Sequence, residues 1–398
     1  MDNNTKKQPS RGEGLLKNGR LITFDVLILL CLIFTLPSTA YTADIWETND
    51  TDVKIGQMIM VGFRGLTIGP DSPITMDISQ RHIGGVILFD YDVPAQSPVR
   101  NIQSPGQLKT LIVDLQQASP IPLLIAIDQE GGKVARLKET NGFPPSVSQQ
   151  YLGSLDNPSV TRRYARQTAA TLAEMGINLN LAPVVDLNVN PHNPVIGRLE
   201  RSFSDRPDVV IRHATTMIDA FHEEGVLSAI KHFPGHGSST GDSHEGFVDV
   251  SATWTPRELI PFEVIAESGR CDMVMTAHIF NKKLDPRWPA TLSSETITGI
   301  MRDRFHYDGV IISDDMQMKA IRLSYDLKTA VTKALLAGID ILVFANNSVF
   351  EEDIAGRVIS IIRTLVADGV IKRDRIDRSY RRIVNLKKKL AAASSAGR

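Results

Sequence analysis

The chain contains 398 residues, of which 42% are hydrophobic and 22% are charged, and its formal net charge is −1. This composition is typical of a globular protein with a large core. It argues against a nucleic-acid-binding protein, because such proteins concentrate lysine and arginine in a basic stripe.

The first 43 residues have the pattern of a secretory signal peptide. A basic leader precedes the apolar run VLILLCLIFTL at residues 26–36, and small residues follow at Ser38, Ala40 and Ala43. The run is shorter than the roughly 20 residues that a membrane-spanning helix needs, so cleavage is favoured over retention as an N-terminal anchor. We therefore expect an exported protein, periplasmic or secreted, which stays on the membrane only if the leader is retained.

The two cysteines do not predict a disulfide in the mature protein. Cys31 lies inside the apolar run and would be removed with the leader, which leaves Cys271 alone. Because Cys271 opens the apolar stretch CDMVMTAHIF, we expect a buried thiol with a structural role.

Eight short apolar runs follow along the chain, and their continuity predicts strands that are buried on both faces of a parallel sheet. The runs are QMIMVGF (57–63), GGVILFD (84–90), PLLIAID (122–128), NLNLAPVVD (178–186), LSAIKHF (227–233), DMVMTAH (272–278), GVIISD (309–314) and DILVFA (340–345).

Longer amphipathic stretches separate these runs, and those before the fourth and fifth runs end at Gly176 and Gly225, as helices commonly do. Eight strand–helix units predict an α/β fold, a single (β/α)8 TIM-type barrel, over residues 44–390. An open doubly wound sheet is disfavoured by the count of eight and by the missing glycine-rich nucleotide fingerprint. The segment AAASSAGR at 391–398 is expected to be a loose tail.

Five of the eight predicted strands end in titratable side chains. These are Asp128, Asp186, the pair Lys231 and His232, His278, and Asp314. A solvated rim can also be polar, but the carboxyl ends of barrel strands meet at one mouth, where barrel enzymes carry their active sites. The pattern therefore favours a functional site over a polar rim.

Two neighbouring stretches add binding candidates to this mouth. In DQEGGKVARL, Asp128 can accept hydrogen bonds from sugar hydroxyls and Arg136 can donate them, although a capping aspartate and a surface arginine would give the same pattern. The loop NPHNPVIGRLERSFSD at 190–205 carries Arg198 and Arg201 and follows Asp186.

The run GVIISDDM ends in two adjacent carboxylates, Asp314 and Asp315. Successive side chains of a strand point to opposite sides. We therefore expect only one of the two to face the barrel mouth, and the strand pattern alone does not decide which.

The stretch KHFPGHGSSTGDSHEG at 231–246 combines three histidines with four glycines, a mixture that allows three interpretations. A metal site is disfavoured, because Pro234 and the glycines prevent rigid ligand spacing and Lys231 would repel a cation. A phosphate-binding loop would need a different order of residues. Proton transfer fits better, because Asp242 and His244 share one side of an extended backbone, so that the carboxylate can fix the imidazole tautomer and raise its pKa. The glycines would let the loop close over a substrate.

Taken together, DQEGGKVARL, NPVIG with RSF, KHFPGHG with DSH, and SDDM resemble, in the same order, the bacterial β-N-acetylhexosaminidases of glycoside hydrolase family 3. The resemblance extends from about residue 53 to residue 390 and implies a single barrel. It implies no cofactor and no metal. The implied partner is a small carbohydrate substrate, and we expect a monomer.

The resemblance also implies roles for individual residues. Asp314 matches the catalytic nucleophile, His244 matches the acid/base, and Asp242 matches the carboxylate that assists it. Five positions match substrate-binding residues: Asp128, Arg136, Arg201, Lys231 and His232. Arg198 is an alternative to Arg201, because shorter versions of the segment GRLERSF in the family have fewer residues between Gly197 and the Arg-Ser-Phe.

The reaction implied by the resemblance is the retaining removal of non-reducing terminal β-linked N-acetylglucosamine through a covalent glycosyl-enzyme. A phosphorylase that uses the same intermediate is one alternative, because a histidine repels phosphate less than a carboxylate does. A non-catalytic exported sugar-binding protein is the other, although binding alone does not need the trio Asp314, Asp242 and His244.

Overall fold

The fold is a closed barrel of eight parallel strands surrounded by helices, seen in a computed structural model that describes residues 46–396. The predicted signal peptide lies outside the described residues. The strands are β1 (Ile59–Gly62), β2 (Gly85–Leu88), β3 (Leu124–Ile127), β4 (Gln129–Gly131), β5 (Val134–Ala135), β6 (Leu179–Asn180), β7 (Leu227–Phe233), β8 (Met273–Thr276), β9 (Val310–Asp315) and β10 (Ile341–Phe344). The barrel order is β1–β10–β9–β8–β7–β6–β3–β2, whereas β4 and β5 form a separate antiparallel hairpin. The predicted (β/α)8 barrel is therefore confirmed.

Each of the eight predicted apolar runs corresponds to one barrel strand, although β9 extends one residue beyond its run, to Asp315. Residue Ile59 of β1 pairs with Leu342 of β10, and this pairing closes the barrel. Strands such as β3 are buried along their whole length, because the barrel interior covers one face and the helices cover the other. Continuous apolar runs are therefore a sufficient signal for these strands.

The strand in the fourth apolar run, β6, is much shorter than the run that predicted it. β6 has two residues, although the run extends from 178 to 186. Pro183 interrupts the ladder, since proline has no N–H to donate. Pairing resumes beyond it, where Val184 forms a bridge with Lys231 and the Val185 N–H donates to the Lys231 carbonyl at 2.8 Å.

The helices occupy the intervals between the strands. They are α1 (Thr51–Gln57), α2 (Pro73–Ser79), α3 (Pro105–Gln117), α4 (Gln149–Leu155), α5 (Pro158–Met175), α6 (Pro207–Glu223), α7 (Ile260–Glu267), α8 (Ser294–Thr296), a π-helical stretch (Ile297–Arg304), α9 (Lys319–Arg322), α10 (Leu327–Ala337), α11 (Ile354–Ala367) and α12 (Arg373–Ala396). Helix α5 shows local signals at both ends. Asn157 caps its start, with proline in the first turn, and Gly176 ends it in the left-handed conformation with φ of 85°.

The C-terminal segment differs from its prediction. Helix α12 continues to Ala396, so residues 391–396 of the expected loose tail are helical. The reason is local, because the sequence from 373 to 396 has no proline or glycine and its last turns contain alanine, the strongest helix former.

Cys271 is a free thiol that is buried against the core, as predicted. Within residues 46–396, no helix is long and apolar enough to cross a membrane.

Candidate active site

The titratable side chains of the five strand ends lie at one mouth of the barrel. Asp128 follows β3, Lys231 and His232 belong to β7, and Asp314 belongs to β9. His278 lies two residues beyond the end of β8. Parallel strands place these ends together, as the sequence predicted.

A network of ion pairs occupies the part of the site near β3 and β7. The Lys231 ammonium lies between two carboxylates, with its Nζ 2.7 Å from Asp128 Oδ1 and 2.7 Å from Glu130 Oε1. The Arg201 guanidinium donates from Nε and Nη2 to the two oxygens of Glu130, each at 2.7 Å. Arg136 Nη2 donates to Asp128 Oδ2 at 3.2 Å. The network contains three cations and two carboxylates, so its charges are almost balanced.

Both carboxylates of this network are held in the ionised form. Burial alone would raise the pKa of Asp128, but the charges of Lys231 and Arg136 outweigh it and hold the pKa below its usual range. For Glu130, burial is likewise outweighed by Arg201 and Lys231, and its pKa is lowered. The Arg136 Nε is buried and has no hydrogen-bond partner within the described residues. It is therefore an unsatisfied donor inside the site.

His232 connects the ion-pair network to the rest of the site. Its Nε2 lies 3.0 Å from Arg201 Nη2, which can only donate, so Nε2 must accept and the proton must be on Nδ1. The Nδ1–H then donates to Asp186 Oδ2 at 2.7 Å. Burial, together with the charges of Arg201 and Lys231, lowers the pKa of His232 well below its usual value. The ring is therefore a neutral imidazole of fixed tautomer.

The structure separates the two arginine candidates of the long loop. Arg201 is buried and makes the contacts with Glu130 and His232 described above. Arg198 is exposed, and its carbonyl accepts a hydrogen bond from Lys133 Nζ at 3.0 Å. The extra residues of GRLERSF thus leave Arg201 in the site.

Asp242 and His244 form the pair that the sequence predicted, but they do so on a turn rather than on an extended backbone, because the Glu245 N–H donates to the Asp242 carbonyl at 3.0 Å. Asp242 Oδ1 lies 2.8 Å from His244 Nδ1 and also accepts the His244 backbone N–H at 2.8 Å. The hydrogen bond from His244 outweighs burial and lowers the pKa of Asp242, so the carboxylate is ionised and Nδ1 carries the donated proton. Because Nδ1 is bonded to Asp242, Nε2 is the nitrogen of His244 that can contact a substrate, and 55% of the side chain is exposed.

Charges around His244 favour its protonated form. Burial would lower its pKa, but the hydrogen bond that it donates to Asp242 and the negative charges of Asp314 and Asp242 outweigh it, and the pKa is raised. An imidazole with a raised pKa is suited to act as a general acid.

Buried residues anchor the loop that carries this pair. Ser243, between Asp242 and His244, points inward, and its Oγ lies 3.2 Å from His236 Nε2. The His236 N–H donates to Asp186 Oδ1 at 2.8 Å. Gly237 packs so closely that an added Cβ would lie 1.7 Å from the Leu187 carbonyl oxygen. The structure therefore gives this glycine a packing role, whereas the sequence suggested loop mobility.

Asp314 and Asp315 have different surroundings, as their alternation along β9 predicted. Asp314 is partly exposed, and its interactions with His278, His232 and His244 outweigh its burial and lower its pKa. Asp315 is buried, and its Oδ1 accepts the N–H groups of Gln317 and Ala345, both at 3.0 Å. Its pKa is raised to about 6 by burial. Asp314 therefore faces the site, whereas Asp315 fastens the ends of β9 and β10.

Three residues of the site lay outside the binding and catalytic sets predicted from the sequence. Asp186 and His278 had been noticed only as strand ends, and Glu130 had not been selected. A signal for Glu130 was present, because it stands two residues after Asp128 and an extended backbone places such residues on one side. His278 Nε2 donates to the Asp315 carbonyl at 2.9 Å and so holds the backbone beside Asp314.

Glu245, the nearest carboxylate to His244 in the sequence, points away from the site. Its Oε2 forms an ion pair with Lys319 Nζ at 2.6 Å, and 70% of its side chain is exposed. Within residues 46–396, no group of three or more His, Cys, Asp or Glu side chains has a metal-binding arrangement.

Sequence comparison relates the chain to hexosaminidases. Residues 50–386 match the family model described as the glycosyl hydrolase family 3 N terminal domain. The chain is 34% identical over 351 residues to beta-hexosaminidase A of Pseudoalteromonas piscicida, covering 80% of this chain and 55% of that protein. It is 35% identical over 270 residues to the beta-hexosaminidase of Tolumonas auensis, covering 67% of this chain and 76% of that protein.

Solved structures give the same relation. A glycoside hydrolase family 3 beta-N-acetylglucosaminidase from a Paenibacillus species superimposes with a TM-score of 0.79 at 35% identity, covering 86% of this chain and 63% of that chain. A beta-N-acetylhexosaminidase from Beutenbergia cavernae gives 0.77 at 27% identity, covering 86% and 99%. The chain thus spans less than two thirds of the Pseudoalteromonas and Paenibacillus proteins and nearly all of the Beutenbergia protein. The resemblance seen in the sequence is confirmed: the chain belongs to glycosyl hydrolase family 3.

Proposed function

We propose that the protein is a retaining exo-glycosidase that removes non-reducing terminal β-linked N-acetylglucosamine from oligosaccharides or cell-wall fragments. One observation carries the proposal. An ionised Asp314 lies among the imidazoles of His232, His244 and His278, and His244 is hydrogen-bonded to the carboxylate of Asp242. This arrangement supplies a nucleophile, Asp314, and a proton donor, His244, in the same site. The names of the related proteins support the choice of sugar.

In the first step of this proposal, a carboxylate oxygen of Asp314 bonds to the anomeric carbon and the glycosidic C–O bond breaks. The electron pair goes to the leaving oxygen, which takes the proton from Nε2 of His244. Asp242 assists because it holds Nδ1 and stabilises the imidazolium. The products of the step are a glycosyl ester on Asp314 and the free leaving alcohol.

In the second step, water bonds to the same carbon and gives its proton to the now neutral Nε2 of His244. The ester bond to Asp314 breaks, and the carboxylate is restored. Two displacements at one carbon give net retention. Most retaining glycosidases use a second carboxylate as the acid/base, whereas here a histidine with a carboxylate partner takes that role.

Asp128, Arg136, Arg201, Lys231 and His232 would bind the sugar of the non-reducing end. Asp128 is an ionised acceptor for hydroxyl groups, and Glu130 holds Arg201 and Lys231 in place. Because ion pairs fix these groups before a ligand arrives, little ordering is needed on binding.

The test is turnover of β-linked N-acetylglucosaminides by the purified protein, with the anomeric form of the first product followed by NMR. We expect the β-anomer of N-acetylglucosamine, and the same product with or without inorganic phosphate. Formation of a sugar 1-phosphate would instead identify a phosphorylase. Binding without any turnover would identify a non-catalytic sugar-binding protein, and release of the α-anomer would exclude Asp314 as nucleophile. Chitin oligosaccharides and peptidoglycan fragments, tested side by side, would identify the preferred glycan.

A further inference from the structure

An exposed aromatic side chain lies beside the Asp242–His244 pair and has no part in the chemistry described above. Phe247 is three residues beyond His244, and 58% of it is exposed. Single exposed apolar residues are ordinary. This one, however, belongs to the loop that carries the proposed acid/base, so its position relative to a substrate can be deduced.

Phe247 packs against a second aromatic ring that also follows a histidine of the site. The ring centroids of Phe247 and Phe280 are 5.5 Å apart, with an angle of 38° between the ring planes. Phe280 lies two residues beyond His278 and is half-buried. At roughly 3.5 Å per residue, the Cα atom of each phenylalanine lies within about 11 Å of the Cα atom of its histidine. We name Phe247 and Phe280 the aromatic pair.

The backbone fixes the aromatic pair in place. The Phe280 N–H donates to the Val248 carbonyl at 2.8 Å, and the Val250 N–H donates to the Phe280 carbonyl at 2.9 Å. These bonds tie the loop after β7 to the loop after β8. An exposed apolar surface that is already ordered loses little entropy when a ligand covers it.

The proposed chemistry determines which part of a substrate reaches this surface. His244 must contact the leaving oxygen in order to protonate it, so the sugar attached to that oxygen lies beside the loop of His244. A pyranose ring presents axial C–H groups on one face, and aromatic rings pack favourably against such groups, because the face of the ring is negative. We infer that the aromatic pair binds the sugar ring on the leaving-group side of the scissile bond.

This inference rests on the proposed function, and it makes the protein selective for leaving groups that contain a sugar ring. The probes are N,N′-diacetylchitobiose, which has such a ring, and N-acetyl-β-glucosaminyl fluoride, which has none and leaves without a proton from His244. The variants are Phe247→Ala, Phe247→Tyr and Tyr91→Ala. Tyr91 is a matched control, because it is 41% exposed and follows β2, which lies opposite β8 in the strand order of the barrel.

We expect Phe247→Ala to lower kcat/KM for the disaccharide about 3- to 10-fold more than for the fluoride. Phe247→Tyr should keep the wild-type ratio, since it retains the ring, and Tyr91→Ala should keep it as well. Equal losses on the two probes, or the same selective loss in Tyr91→Ala, would overturn the inference while leaving the proposed function intact. Failure of the wild-type protein to hydrolyse the fluoride would overturn the proposed function, and the inference with it.

Discussion

At the scale of single residues, the surroundings of Asp314 and Asp315 assign different tasks to two identical side chains. Three imidazoles lie close enough to lower the pKa of Asp314, whereas two backbone N–H groups hold Asp315 in place. Asp315 cannot turn toward a sugar without leaving those two N–H donors unpaired.

We therefore expect Asp314→Asn to abolish turnover and Asp315→Asn to retain most of it. The amide keeps the shape of both side chains, and its oxygen can still accept the Gln317 and Ala345 N–H groups at position 315. Trapping with a 5-fluoro glycosyl fluoride followed by peptide mass analysis checks the assignment. A label on any residue other than Asp314 would disprove it.

His244 and Glu245 give a second pair of neighbours with different expected roles. General acid catalysis contributes about 10²- to 10⁴-fold, so His244→Ala should lose that much on a disaccharide. It should lose less on an activated aryl glycoside, whose leaving group needs little protonation. Glu245→Gln is the matched control, because Glu245 pairs with Lys319 outside the site. A leaving-group dependence confined to Glu245→Gln would show that the acid is a conventional carboxylate.

The raised pKa of His244 predicts the alkaline limit of activity. Protonated His244 is required in the first step, so kcat/KM should fall as pH rises through this pKa, which lies above the usual histidine value of 6.5. Asp242→Asn removes the negative charge and weakens the hydrogen bond that raise it, so the alkaline limb should move to lower pH. The lowered pKa of Asp314 keeps the nucleophile ionised toward acidic pH in both proteins. A pH profile of kcat/KM for both proteins measures the shift. If the alkaline limb does not move in Asp242→Asn, a group other than this pair sets the alkaline limit.

At the scale of structural elements, the end of the barrel opposite the site is held by a buried aspartate. Asp340 precedes β10, and its Oδ2 accepts the Ile311 N–H at 3.0 Å and Arg302 Nη2 at 2.7 Å. Its Oδ1 accepts Ser379 Oγ at 2.5 Å, and Arg382 Nη1 lies 3.3 Å away. One carboxylate therefore joins β9, the π-helical stretch and α12.

Asp340→Asn should lower the free energy of unfolding by about 3–5 kcal/mol, because removing one member of a buried ion cluster leaves the remaining charges uncompensated. Asp374→Asn is the control on the same helix α12. Its ion pair with Arg378 is exposed, and such pairs contribute at most about 1 kcal/mol. Urea unfolding measures both changes, and kcat should be unaffected in either variant because Asp340 and Asp374 lie outside the site. Equal stability of the two variants would contradict a structural role for Asp340.

The elements themselves were predictable where the signal was local. Barrel strands are covered on both faces, so each is a continuous apolar run, and all eight could be identified from the sequence. The ends were less predictable. β6 is shortened by Pro183, and α12 extends past the expected boundary because alanine-rich sequence continues a helix without a stop signal.

At the scale of the whole molecule, the location of the candidate site could be predicted from the sequence, but the contacts between its residues could not. The strand ends had to meet at one mouth once the barrel was inferred. The contacts of Glu130 with Arg201 and Lys231 were not predictable, because these partners lie 71 and 101 positions away in the sequence. The contact between Asp242 and His244 could be inferred, because residues two positions apart in the sequence stay close enough for their side chains to meet.

The proposed cellular location of the whole molecule rests on its first 43 residues, which lie outside the described part of the chain. The basic leader, the apolar run at 26–36 and the small residues that follow it are the three parts of a secretory signal. We propose that the leader is cleaved and that the mature protein begins near Tyr41, Thr42 or Asp44. The α-helices and β-strands given above all begin at or after Thr51, so cleavage there leaves every one of them intact. N-terminal sequencing of the exported protein checks the position. Full-length protein recovered from the membrane would identify a retained anchor, and full-length soluble protein in the cytoplasm would contradict export altogether.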